Sequence, residues 1–139
     1  MESPFENLLN RLQKNQSPTI EQMQKLTLKI DFLIDHDYFE FIKKHNGAAG
    51  FVNKNSYLML WEIDDLVSLN PYYQDDEFCN AVFLIGSNGS STSYGIKKTD
   101  GSFFKAPFID MPDELESCGN NFTKFLLTIA NPESGQFSQ

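Results

Sequence analysis

Histidine, cysteine and tryptophan are scarce in this chain of 139 residues, at two, two and one. His36 and His45 sit near the two ends of one expected helix, nine residues apart, so they point in different directions and do not make a metal pair. Cys79 and Cys118 have no close His or Cys neighbour, which excludes the usual zinc spacings. With no export signal, both thiols are expected to stay reduced. No G-x-S-x-G elbow is present. Gly86-Ser87-Asn88-Gly89 has neither the spacing nor the following Lys and helix that a phosphate loop needs. No apolar run is long enough to span a bilayer. The N-terminus carries Glu2 and no basic region ahead of its apolar residues, so no signal peptide is expected and a cytoplasmic location is.

Positive charge is missing over one long stretch. From Asn55 to Ile96 there is no Lys or Arg, while Glu62, Asp64, Asp65, Asp75, Asp76 and Glu77 supply six negative charges. The whole chain has a formal net charge of -8. Nucleic acid and anionic membranes need basic patches, so both are excluded as partners. A basic protein partner fits, because an acidic face steers its approach. The carboxylate groups match no Ca²⁺-loop pattern, and no cofactor or metal is expected.

Hydrophobic residues make up 40% of the chain, with 13 Phe and 5 Tyr, enough for a Phe-rich core in one compact domain over 1–139. Its core is expected at about 19–130, with a tail from 131 to 139.

The meander Ala81–Lys105 is the expected centre. Ala81–Ile85 is a short apolar run closed by Gly86, a buried strand. Thr92–Lys97 and Ser102–Lys105 follow as strands, joined by Thr99-Asp100-Gly101. Upstream, Ser3-Pro4-Phe5-Glu6 opens a helix ending near Asn15, and Thr19–Gln22 is a capping box for a second. The alternation of Leu26, Leu28, Ile30 and Phe32 fits a strand or an irregular helix end equally. Asp35-His36-Asp37 caps a third helix, stopped by Asn46-Gly47. Phe51-Val52 and Ser56–Leu60 are short strands; Glu62–Leu66 begins a short helix ended by Asn70-Pro71. Tyr72–Asn80 is an acidic loop, a turn of helix is expected at Asp113–Glu116, and Asn120 or Asn121 caps a last helix from Phe122 to about Ile129. Helices and antiparallel strands are segregated, which makes the class α+β.

Four stretches together resemble the SUKH superfamily, which includes yeast cell-wall-assembly regulators and many bacterial proteins. They are Asp37-Tyr38-Phe39-Glu40-Phe41 through Asn46-Gly47, Leu60-Trp61-Glu62 with its short helix and Asn70, Ile85-Gly86-Ser87-Asn88-Gly89, and Asn121-Phe122-Thr123-Lys124-Phe125-Leu126. The chain departs from the family at Asp35-His36, where Leu-Pro is usual, and at Ser90-Ser91-Thr92-Ser93, where further glycines and acids are usual. The resemblance implies a central, mostly antiparallel mixed sheet flanked by helices. It further implies an immunity protein that neutralises a cognate bacterial toxin, often a nuclease, by stoichiometric binding and not as an enzyme. The alternative is a regulatory or scaffold module that binds other proteins. The residues expected to meet the partner are Asp64, Asp65, Asp75, Asp76 and Glu77, with Tyr72 and Tyr73 as aromatic anchors.

Overall fold

Side-chain caps start the helices where the sequence marks them. Thr19 Oγ1 accepts from the Gln22 N–H at 3.1 Å, and the Gln22 amide oxygen accepts from the Thr19 N–H at 2.9 Å. This reciprocal box opens α2, Ile20–Lys29. Asp35 opens α3, His36–Lys44, by accepting from the Tyr38 N–H at 3.0 Å. The same oxygen accepts from the Phe122 N–H at 3.2 Å. One carboxylate thus holds the first turns of two helices far apart in sequence. It stands where the chain departs from the Leu-Pro of its resemblance. The last helix, α5 (Phe122–Ala130), has Asn121 as its own cap, accepting from the Lys124 N–H at 2.8 Å.

The computed structural model describes residues 4–73, 81–108 and 115–131. Their elements run α1 (Pro4–Arg11), β1 (Gln13–Lys14), α2, α3, β2 (Ala48–Asn53), β3 (Ser56–Leu60), α4 (Ile63–Leu69), a 3₁₀ turn (Asn70–Tyr73), β4 (Val82–Ser87), β5 (Thr92–Lys97), β6 (Phe103–Pro107), β7 (Glu116–Ser117) and α5. The seven strands form one sheet in chain order, and every described pairing is antiparallel. The class is α+β, with the expected meander at the sheet's centre.

Three details differ from expectation. α1 stops at Arg11, and Gln13 and Lys14 pair with Ala49 and Ala48 as an edge strand instead of continuing the helix. α2 runs to Lys29, where the Ile30 N–H turns back to the Thr27 carbonyl at 3.2 Å, so the alternation from Leu26 marks no strand. Of the helical turn expected at Asp113–Glu116, Asp113 and Glu114 lie outside the described residues. Glu116 lies on β7 opposite Lys105, to which it is ion-paired at 3.4 Å.

Burial is continuous along all six residues of β4, as in a strand covered on both faces. α2 packs on α4, and α5 packs on α1, α3 and strands β2, β3 and β6. α1 adds Leu8 to the core, and Leu12, just past its end, joins it there. Beneath α5 the Phe-rich core is literal. Phe103 stacks on Phe125 with centroids 5.2 Å apart, and Tyr38 meets Phe122 edge-on at 5.4 Å.

Tyr38 is fully buried, and its hydroxyl has no hydrogen-bond partner among the described residues. Burial pushes that hydroxyl above the usual tyrosine range. Replacing it removes a desolvated polar group and leaves the ring packing intact. Tyr38→Phe is therefore expected to raise the unfolding free energy by about 1 kcal/mol in denaturant titration. A loss of stability would show that the hydroxyl holds a partner in solution.

Candidate functional site

The acidic stretch is built on α4, and two amide side chains fix that helix at its ends. Its N-cap, Glu62, makes no side-chain capping bond. The role passes to Asn46, seventeen positions upstream, whose Oδ1 accepts from the Ile63 N–H at 2.6 Å. Gly47 makes this approach possible. It has φ of +91°, and a Cβ there would lie 2.9 Å from both Glu62 N and Leu60 O. At the other end, Asn70 is buried. Its Nδ2 donates to the Leu66 carbonyl at 2.8 Å and the Leu84 carbonyl at 3.0 Å, while its Oδ1 accepts from the Leu84 N–H at 2.7 Å. The C-terminal end of α4 is thereby stapled to β4. Ile63 and Leu66 turn into the core, so Glu62, Asp64 and Asp65 are left in the first turn, where the helix dipole favours acids.

The structure separates the acids named from sequence. Asp64 is exposed and faces α2, accepting from Gln22 Nε2 at 3.4 Å. Asp65 is half-buried and lines a cleft of about 300 Å³ together with Glu62, Tyr57 and Trp61. Tyr72 and Tyr73 lie on the 3₁₀ turn after α4. Asp75, Asp76 and Glu77 lie outside the described residues. Sequence reasoning counted Glu62 as charge without assigning it to the site, and passed over Trp61. The i, i+3 spacing of Glu62 and Asp65 was the available signal that they share a face.

A larger cleft, about 420 Å³, opens where β3 runs on past β4, which pairs with it at Met59 and Leu60 only. Tyr94, Asn88 and Thr128 line it, and its two charged groups, Lys105 and Glu116, are paired to each other. Burial, with a smaller contribution from Cys118, pushes the Tyr94 hydroxyl up to about 12. Burial also pushes the Cys118 thiol up to about 11, so it is not a thiolate nucleophile at neutral pH. Among the described residues, no three or more His, Cys, Asp or Glu side chains group so as to hold a metal ion. No described helix is long and apolar enough to cross a membrane.

Most of the resemblance-bearing residues therefore serve architecture. Asn46 and Gly47 seat the start of α4, Asn70 staples its end, and Gly86 lies against Met59 of β3. The model of the SMI1 / KNR4 family (SUKH-1) matches residues 17–128, well over half of the chain. The chain belongs to this family. The match begins after α1 and β1 and ends within α5. No curated protein matches the sequence. For this SUKH-1 chain, the family assigns a fold and points to a protein partner.

Proposed function

We propose that this SUKH-family chain is an immunity protein of the bacterial cytoplasm. It binds a basic cognate toxin stoichiometrically through the α4 face and neutralises it without turnover. The supporting observation is the α4 first turn, where Glu62, Asp64 and Asp65 stand on a helix held at both ends by Asn46 and Asn70. A charged face that is already ordered loses little entropy on binding and accelerates encounter with a basic surface. A nuclease toxin carries such a surface in its substrate channel, since it must attract phosphates. Asp75, Asp76 and Glu77, close in sequence to Tyr72 and Tyr73, add three more negative charges to the sequence after α4.

The proposal is tested by expressing the products encoded beside this chain, alone and together with it. One neighbour is expected to arrest growth alone and to be silenced when this chain is co-expressed at equal or greater amount. Harmless neighbours would instead favour a regulatory or scaffold module with other protein ligands.

A further inference from the structure

The cleft beside α4 has a more specific chemistry than the acidic face as a whole. It is lined by the aromatic Tyr57 and Trp61, by Met59, Leu60 and the small Ala48 and Ala49 of β2, and by two acids, Glu62 and Asp65. The main chain at Trp61 is held in place by its backbone N–H, which donates to the Ile85 carbonyl at 2.9 Å. Tyr57 is braced by Phe51, edge-on at 5.1 Å. Among the described residues, neither carboxylate makes a hydrogen bond or an ion pair. No basic side chain among the described residues lines the cleft. The Lys beside it in sequence, Lys14, is committed elsewhere, its Nζ donating to the carbonyls of Leu9 at 2.9 Å and Leu12 at 3.4 Å. Gln13 and Asn15 add amide groups at the rim.

We propose that this cleft receives an arginine side chain of the partner protein. The inference rests on the reading of the chain as a binder of basic proteins, and it names the group that docks. A guanidinium is flat and permanently charged, with five donors in a fixed fork. It stacks on aromatic faces while donating to carboxylates, and this cleft places both in one small space. An ammonium lacks the flat face for stacking. A volume of about 300 Å³ lies at the bottom of the range for small-molecule sites and suits one inserted side chain. Trp, Tyr and Arg are also the residue types enriched at interface hot spots.

Trp61 is the chain's single tryptophan, so its indole N–H gives one reporter signal. The probe is acetyl-arginine methylamide, titrated into the ¹⁵N-labelled chain, with the citrulline and lysine analogues in parallel. The arginine probe is expected to shift the Trp61 indole and the Glu62–Asp65 amides saturably. The citrulline analogue should leave them in place, and the lysine analogue should bind more weakly. The isosteric pair Glu62→Gln with Asp65→Asn should weaken arginine binding roughly tenfold or more, with the rest of the spectrum unchanged. No saturable shift, equal shifts from the three probes, or an unaltered titration in the double variant would overturn the proposal. The two levels separate cleanly. If a basic partner is neutralised while the arginine probe leaves Trp61 unmoved, the cleft assignment fails and the acidic-face proposal stands. If the probe binds and no partner is neutralised, the reverse holds.

Discussion

Asn70→Ala should cost the fold about 3 kcal/mol or more, which is a large part of the margin of an ordinary small domain. The side chain is almost completely buried and makes three hydrogen bonds, two of them to the backbone of Leu84. Truncation leaves the Leu84 N–H and carbonyl without this partner in an interior where water does not replace it. Each buried group left unsatisfied costs about 1–3 kcal/mol. The small cavity left by the amide adds to this. Asn70→Asp tells donor from acceptor. The carboxylate can still accept from the Leu84 N–H, but it cannot donate to either carbonyl, and it brings a buried charge. Both variants should lower the midpoint of denaturant unfolding without changing its slope. An effect under 1 kcal/mol for Asn70→Ala would mean that α4 is not fixed to β4 by this amide.

Gly86→Ala is expected to be more severe, about 4 kcal/mol or an insoluble product. The reason is proximity. A Cβ on Gly86 would lie 2.2 Å from the Met59 carbonyl oxygen and 3.2 Å from its carbon. The obstacle is backbone and cannot swing away. β3 and β4 share two ladder pairs, Met59 with Ser87 and Leu60 with Gly86, continued by the Trp61 N–H to Ile85 carbonyl bond, so separating the strands there breaks the sheet between its two halves. Soluble yield and denaturant unfolding check this. A variant within 1 kcal/mol of the parent would show that β3 can retreat.

Much of this was legible in the residues because the signals were local. The Thr19–Gln22 box, the Asn121 cap and the apolar run into Gly86 each dictate structure within a few positions. The fold class followed from their order. The boundaries that slipped were set at long range. Gln13 and Lys14 carry no strand signal of their own and become a strand because Ala48 and Ala49 offer an open edge. Glu116 is likewise drawn into a strand by β6 and Lys105. In the candidate site, charge patterning found α4. It could not tell that Asp64 and Asp65 diverge, or that Glu62 and Trp61 share a cleft with Tyr57, because that cleft is assembled from β1, β2, β3 and α4. The caps lent by Asn46 to α4 and by Asp35 to α5 are also invisible without the fold, spanning 17 and 87 positions.

The most direct test of the acidic-face account is the dissociation constant for the neighbouring toxic product, measured by calorimetry at low and high salt. The parent chain is compared with the triple variant Glu62→Lys, Asp64→Lys, Asp65→Lys, whose fold is confirmed by circular dichroism. The account predicts that the parent's affinity falls as salt rises. It predicts that the triple variant binds roughly a hundredfold more weakly or not at all, and no longer protects growth. A folded triple variant that binds and protects like the parent would contradict it.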